Sequence, residues 1–416
     1  MIEWSEPQRM LRDALRSFIE AEIAPRLDEF EHGDTPPYEV LRKMIKTFGI
    51  DAMATQQFQK QIKKAKALEA GETPPDKKKE DDPARAVMRG EEAAMSMIPI
   101  IELCRYCPGM VTAMGVSMGL TGGAIMSKGT IAQKEKWALP LLTLEKVGAW
   151  AITEPNSGSD AFGSMKASAK RTDDGGYILN GNKTFITNGP YADTIIFICK
   201  LDEPGVEPKN RKVVSFILDS GMQGLTQSKP FRKMGIHSSP TGELFLDDVK
   251  VGPERLLGET EEVSARSGAK DTFSMERSGV AAMALGIVEK CLELSVKYAK
   301  VREQFGQPIG QFQLIQLKLA KMEVARLNLQ NLVFMHIEMV GKGKQLSLSE
   351  ASAMKLYAAQ AAVEVALEAV QIHGGNGYMA EYQVEQLCRD AKILQIYAGT
   401  DEIQITHIAR DLLSRN

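Results

Sequence analysis

The sequence predicts an α+β protein in which helical regions flank a central β-rich region. Three observations carry this. Apolar residues recur at helical spacing to about residue 142, short β-rich runs separated by turn signals fill 150–260, and helical spacing returns near Asp271 and holds to the end. A chain of 416 residues accommodates two or three domains at about 150 residues each. The order suggests boundaries at 1–149, 150–262 and 263–416.

The first helix is signalled by Ser5 and Gln8, which fit a capping box, with Glu6 and Pro7 in the first turn. Leu11, Leu15, Phe18, Ile19 and Ile23 then define one buried face. Helical patterning breaks over 60–85, KQIKKAKALEAGETPPDKKKEDDPAR, which is charged and contains Pro74-Pro75. That insertion reads as a solvated helix end followed by an exposed loop, or else as a lid or partner-docking element near a substrate entrance. In the central region, turn signals such as Asp173-Asp174-Gly175-Gly176 delimit runs at 177–179, 194–201, 213–218 and 243–246. Their spacing suggests a small β-barrel or sandwich. Farther on, Ser347 and Glu350 fit a second capping box, and the Ala-rich helix after it is closed by Gly374-Gly375.

Composition narrows the function classes. Hydrophobic residues make up 44% and charged residues 25%, ordinary for a soluble globular protein. A net charge of −3 supplies no basic field for nucleic acid or anionic membrane. No apolar run approaches the roughly 20 residues of a membrane span, so no membrane insertion is expected. The start, MIEWSEPQRM, lacks a basic segment followed by an apolar core. Cytoplasmic residence is the default expectation, although a mature organellar enzyme would look the same. The five cysteines are scattered, and Cys104-x-x-Cys107 reads as two small residues in a helical turn rather than a zinc or redox pair.

Four stretches carry chemistry. They are WAITEPNSGSD at 150–160, KTFITNG at 183–189, REQFGQPIGQFQ at 302–313 and QIHGGNGYMAEYQVEQLCRDAKILQIYAGTDEIQ at 371–404. Small residues in the first let backbone N–H groups approach a flat, electron-rich ring. Alone, that loop is an ordinary polar turn, and an aromatic ring in a β-run such as Phe185 is ordinarily core. Gly374-Gly375-Asn376-Gly377 follows a helix rather than a strand, so it does not fit a Rossmann phosphate loop. Together, and in this order, the four stretches resemble the acyl-CoA dehydrogenase family.

The resemblance implies a helical N-terminal domain, a central β-barrel or sandwich and a C-terminal four-helix bundle. It implies FAD as cofactor, with Ile152, Thr153 and Ser159 contacting the flavin and Phe185 and Thr187 packed on its ring. Arg302 would neutralise the flavin pyrophosphate of a neighbouring subunit, with Phe305 and Gln313 beside it. Gln371, Gly375, Thr400 and Glu402 match further FAD-contacting positions. Ser159, Ser274, Arg277 and Gly399 would meet the substrate. The implied reaction is α,β-dehydrogenation of an acyl-CoA to the trans-2-enoyl-CoA, as in β-oxidation of fatty acids. Reoxidation would be by an electron-transfer flavoprotein-type acceptor, and the assembly would be a homotetramer, a dimer of dimers.

One position departs from the common pattern. Most family members carry the proton-abstracting glutamate where this chain has Ala398. Its backbone N–H remains available to the thioester oxygen, so only the base is missing. Glu276, in DTFSMERSG, is the candidate replacement. A branch that includes isovaleryl-CoA and long-chain acyl-CoA dehydrogenases places its base directly before an arginine on this helix, as Glu276 precedes Arg277. Ser274 and His237 also differ, standing where many relatives have aspartate and arginine, which bears on CoA binding. The alternatives are a non-catalytic or partner-dependent subunit of a hetero-oligomer, an oxidase, and a DNA-binding flavoprotein scaffold, the last disfavoured by the net charge.

Overall fold

Three regions follow one another in the computed structural model, which describes residues 3–72, 83–262 and 265–415, with side chains over 3–72, 84–262 and 277–415. The first is helical: α1 (Glu6–Glu22), α2 (Leu27–His32), α3 (Tyr38–Thr47), α4 (Ile50–Glu69), α5 (Pro83–Cys104), α6 (Pro108–Met114), a π-helical run Gly115–Gly122, α7 (Gly123–Lys128), α8 (Ile131–Gln133) and α9 (Leu139–Leu142). Helix α1 begins as its sequence suggests: the Gln8 side chain accepts the Ser5 N–H at 2.9 Å. Leu15, Ile19 and Ile23 are buried, with Leu11 and Phe18 packed against the same core.

The charged run from Lys60 does not interrupt helix α4, which continues to Glu69. Its only buried residues are Phe58 and Ile62. One apolar contact per turn suffices to dock a helix whose other faces are solvated, so the charges extend it rather than end it. The rest of the insertion, 73–82, lies outside the described residues. One apolar stretch was not singled out by its sequence: Pro108–Lys128 is helical and long and apolar enough to cross a membrane by length and composition. Here it is half buried. Met110, Val111 and Ala113 enter the core, and Ser117 Oγ accepts the Gly148 N–H at 2.9 Å, beneath the central sheet.

The central region is a seven-stranded mixed sheet of β1 (Gly148–Ala151), β2 (Ser168–Arg171), β3 (Tyr177–Thr187), β4 (Thr194–Leu201), β5 (Val213–Asp219), β6 (Leu225–Gln227) and β7 (Thr241–Val251). Its order is β1-β4-β2-β3-β7-β6, with β5 also paired to β4. Strand β4 runs parallel to β1 and β2 and antiparallel to β5. It is buried at every position, as an Ile-rich central strand should be. Its alternate residues serve two cores: Ile195, Phe197 and Cys199 pack within the sheet region, and Ile196 and Ile198 join Trp137, Leu141 and Phe58 of the helical region. Strands β3 and β7 each reach 11 residues, far beyond the runs legible in sequence.

Helices α10 (Ala265–Val301), α11 (Gln313–Gly341), α12 (Leu348–His373), α13 (Gln383–Lys392) and α14 (Asp401–Ser414) form the third region, with a two-stranded hairpin (Glu303–Gln304 and Gln307–Pro308) between α10 and α11. Helix α12 packs on α10, α13 and α14, and α10 on α11 and α5. The α10–α5 approach is close enough that a Cβ on Gly286 would sit 2.2 Å from the Ile101 carbonyl oxygen. The Ser347–Glu350 capping box forms in both directions, at 3.2 and 2.8 Å. Gly374, at φ +60°, ends α12. Cys104 and Cys107 are buried free thiols, Cys107 lying 3.3 Å from Ser238 Oγ. Burial raises both well above the usual thiol range. Among the described residues no group of three or more His, Cys, Asp or Glu is placed to hold a metal.

Candidate active site

Between α13 and α14 the chain makes a turn in which Ala398 has φ +54° and Gly399 φ +89°. A non-glycine residue in this region costs about 1–2 kcal/mol, so something must hold it. Gln404 Nε2 donates to the carbonyl oxygens of Ala398 at 3.0 Å and Gly399 at 2.8 Å. Lys355 Nζ, from α12, donates to the same Gly399 oxygen at 2.8 Å. The Tyr397 hydroxyl reaches Met283 Sδ on α10 at 3.3 Å. Thr400 caps α14, accepting the Ile403 N–H at 3.4 Å. Position 399 demands glycine twice over, since a Cβ there would lie 2.7 Å from Gln404 Nε2. With both carbonyls engaged, the N–H groups of half-buried Ala398 and Gly399 donate to no acceptor among the described residues. A partly buried donor without an internal acceptor fits an external oxygen.

Helix α10 lies against this turn. Arg277, nearly fully buried, has Nη1 3.4 Å from Ser352 Oγ, and its Nη2 is 3.8 Å from where a Gly399 Cβ would be. The structure thus brings Arg277 and Gly399 together. Glu276 directly precedes Arg277 in α10; its side chain and that of Ser274 lie outside the described residues.

On the sheet, the loop after β1 is fixed from beneath by a buried ion pair. Lys183 Nζ is 2.8 Å from Glu154 Oε1 and 3.0 Å from the Ile152 carbonyl oxygen. Glu154 also accepts the N–H groups of Lys166 at 2.6 Å and Ala167 at 3.0 Å. Burial pushes the Lys183 ammonium below its usual range, and the Glu154 charge opposes that shift. Thr153 is held by the Thr184 N–H at 2.9 Å. These contacts leave Ile152 and Thr153 half-buried at the sheet edge. The sequence motifs contain Glu154 and Lys183, yet their partnership was not anticipated; a lysine within a β-run is the one local sign of it.

Phe185 has φ +57° and is 68% exposed, with Phe231 edge-on at 6.1 Å. A ring this open is a wall rather than core, and half-buried Thr187 lies two residues on at the end of β3. Ser159 is exposed, and its loop is tied by Ser157, whose hydroxyl donates to the Asp160 carbonyl at 2.8 Å. Arg302, Phe305, Gln313, Gln371, Gly375 and Glu402 are all exposed. Arg302 and the Gly375 turn are neighbours through Tyr298, which accepts the Arg302 N–H at 2.9 Å, stacks on His373 at 4.3 Å and meets Asn376 Nδ2 at 3.0 Å. Glu402 lies beside the Ala398 turn, on the first turn of α14; no hydrogen bond or ring contact among the described residues joins Arg302, Phe305, Gln313 or the Gly375 turn to Phe185 or to the Ala398 turn.

His237 lies elsewhere. Its Nδ1 is 3.3 Å from Glu31 Oε2 and its Nε2 is 2.6 Å from the Lys233 carbonyl oxygen. Arg389 is 3.4 Å from the same Glu31, and neighbouring Asp390 accepts the Ile236 N–H at 2.5 Å. His237 is therefore part of a junction of all three regions. The hydrogen bond to Glu31 raises its pKa.

Residues 267–413, 149–249 and 5–58 match the family models for the acyl-CoA dehydrogenase C-terminal, middle and N-terminal domains. The chain is 42% identical over 316 residues to the short-chain-specific acyl-CoA dehydrogenase of Megasphaera elsdenii, covering 76% of this chain and 81% of that one. It is 34% identical to the caffeyl-CoA reductase-Etf complex subunit CarC of Acetobacterium woodii, over 99% and 100% of the two chains. The solved structure of butyryl-CoA dehydrogenase from Megasphaera elsdenii superposes with a TM-score of 0.83 at 35% identity, over 99% and 100%. The open Phe185 ring and the half-buried Ile152–Thr153 edge fit the flavin this family uses. By these domains and relatives, the chain belongs to the acyl-CoA dehydrogenase family, whose enzymes are FAD-dependent.

Proposed function

We propose that the protein oxidises an acyl-CoA thioester to the trans-2-enoyl-CoA, with Glu276 taking the α-proton and the Ala398 N–H holding the thioester oxygen. The observation that carries this reading is the Ala398–Gly399 turn: its carbonyls are tied down, its N–H groups are unspent, and Arg277 of α10 is packed against it. Bound FAD supplies the hydride acceptor. One preorganised oxyanion donor is worth about 3–4 kcal/mol in such chemistry. Ala398 has no proton acceptor in its side chain, and Glu276 is the carboxylate that directly precedes the arginine against the turn. General-base catalysis contributes about 10²–10⁴-fold, so its loss is readily measured.

Ile152, Thr153, Phe185 and Thr187 would hold the flavin ring, and Thr400 and Glu402 lie at the start of α14 beside the turn. Ser159, Ser274, Arg277 and Gly399 would meet the acyl-CoA. Arg302, Phe305, Gln313, Gln371 and Gly375 would serve the cofactor of a second copy. Support for a homotetramer comes from the apolar surface beside them, where Phe305 is 95% and Leu314 75% exposed. An electron-transfer flavoprotein as acceptor is supported by the relative that is a subunit of an Etf complex. The short-chain-specific relative makes butyryl-CoA the first substrate to try. Anaerobic addition of butyryl-CoA to the FAD-loaded protein should bleach the flavin absorbance. Glu276→Gln should keep the flavin and abolish bleaching; turnover retained in that variant overturns the assignment.

A further inference from the structure

We propose that Lys355 is a positioning residue for the thioester-oxygen donor, its buried ammonium fixing the Ala398–Gly399 turn so that the Ala398 N–H keeps its aim. The inference rests on the reaction proposed above. Lys355 lies near the start of α12, and its side chain is fully buried. Nζ is 2.8 Å from the Gly399 carbonyl oxygen and 3.5 Å from Asp401 Oδ1. Asp401 is itself buried, with Gln360 Nε2 3.5 Å from its second oxygen. Taking an ammonium out of water is costly, and a methionine would fill the same space without that cost. Packing does not account for a charge here.

The contact with the turn does. Ala398 and Gly399 hold successive positive φ angles, so holding the Gly399 carbonyl fixes the strained turn whose first residue supplies the N–H. Gln404 supplies neutral donors to both carbonyls. Lys355 adds a charge-assisted one, the stronger kind, to the Gly399 carbonyl from the opposite element. Helix α12 thereby holds the donor that α10 faces across the turn. Displacing a catalytic group by about 1 Å costs about 10²-fold in rate.

Lys355→Met is the test, made in the FAD-loaded protein with two ligands. Butyryl-CoA reports bleaching and binding. Acetoacetyl-CoA has an acidic α-proton, and its ultraviolet absorbance reports enolate formation, so the pH midpoint of its ionisation when bound measures stabilisation of the thioester oxyanion. We expect FAD content and the butyryl-CoA Kd to be nearly unchanged and bleaching to slow about 10²-fold. The ionisation midpoint should rise by about one to two pH units, tenfold per unit. Unchanged bleaching, or slower bleaching at the original midpoint, overturns the proposal. If Lys355→Met fails to retain FAD, Lys355→Arg is read alone: it keeps the charge but alters the donor geometry, so the midpoint must still rise, by less, and a wild-type midpoint overturns the proposal. Glu276→Gln, run in parallel, separates the two ideas. It should lose bleaching without raising the midpoint, since removing a neighbouring negative charge favours the enolate, and bleaching retained there defeats the proposed base while leaving the Lys355 result readable.

Discussion

Replacing Lys183 with methionine should loosen the sheet edge that carries Ile152 and Thr153. The ammonium is fully buried, 2.8 Å from Glu154 and 3.0 Å from the Ile152 carbonyl oxygen. Methionine reproduces the length and apolar stem but removes the donor from a buried carboxylate and a buried carbonyl. Breaking a buried ion pair by deleting one partner costs about 3–5 kcal/mol. Glu154 keeps two backbone donors, at 2.6 and 3.0 Å, which places the loss at the lower end. In urea unfolding of the apoprotein it should appear as a lower midpoint at an unchanged slope. The same loop must be ordered to receive the flavin, so FAD affinity should fall by about tenfold or more, equivalent to 1.4 kcal/mol. Combined with Glu154→Gln, the double variant should show a coupling of roughly 2 kcal/mol. A loss below about 1 kcal/mol with unchanged FAD affinity would refute the idea that this pair supports the flavin face.

Three further changes test the fold around the site. Gly399→Ala forces a side chain into φ +89° and to 2.7 Å from Gln404 Nε2; it should cost about 1–2 kcal/mol in stability and slow bleaching about 10²-fold, and wild-type bleaching would show that the turn is not critical. Asn188→Leu removes an amide that donates to the carbonyls of Ala113 and Gly148 at 2.9 and 2.8 Å and accepts the Tyr38 hydroxyl at 2.9 Å; a loss of roughly 3 kcal/mol is expected from the buried groups it strands, and a change under 1 kcal/mol counts against a tie between the helical region and the sheet. At the three-region junction, burial and the neighbouring Glu31 charge push Asp390 up to about 7. The folded protein therefore keeps a proton that the unfolded chain releases near pH 4, and stability from Asp390 is complete below that value and lost as pH rises through about 7. His237, raised by Glu31, acts in the same sense, its contribution fading as pH rises past its ordinary value of about 6.5. Asp390→Asn, which mimics the protonated acid, should become more stable relative to the parent between pH 4 and 8; a difference that is flat or falls with pH contradicts the assignment.

What was legible in sequence was local. The buried face of α1, both halves of the Ser347–Glu350 box, the ends of β4 and the positive turn at Gly374 follow from period and cap chemistry acting within a few residues. Strand β3 shows where that logic fails. Gly181 and Phe185 both adopt positive φ and the pairing with β7 shifts register twice, so the alternation of a regular strand is lost and only its first three residues look extended. The site divides in the same way. Phe185, Thr187, Arg302 and the 398–402 segment can be named as candidates from sequence because each lies in a contiguous motif. Lys355, Lys183 with Glu154, and the Glu31–His237–Asp390 junction cannot be, because each acts across tens or hundreds of residues and leaves no period or spacing to read.

Under the proposed reaction, the Ala398 turn also bears on how a base could change walls while the rest of the site is kept. The proposed donor is a main-chain N–H, and the groups that hold its turn, Gln404, Lys355 and Met283 through Tyr397, do so by hydrogen bonds to backbone carbonyls or from the Tyr397 hydroxyl, while the half-buried Ala398 methyl packs against the helical core. None of those hydrogen bonds uses the side chain at 398, so a carboxylate added there leaves them in place. Pairing Glu276→Gly with Ala398→Glu exploits that independence: it deletes the proposed base on α10 and restores one on the turn, at a φ of +54° that Ala398 already tolerates. General-base catalysis is worth about 10²–10⁴-fold, so the double variant should bleach with butyryl-CoA about 10²-fold faster than Glu276→Gly alone. If the ionisation midpoint of bound acetoacetyl-CoA is unchanged yet bleaching does not recover, the turn cannot present a base to the α-carbon. Base and donor would then be coupled through more than the backbone.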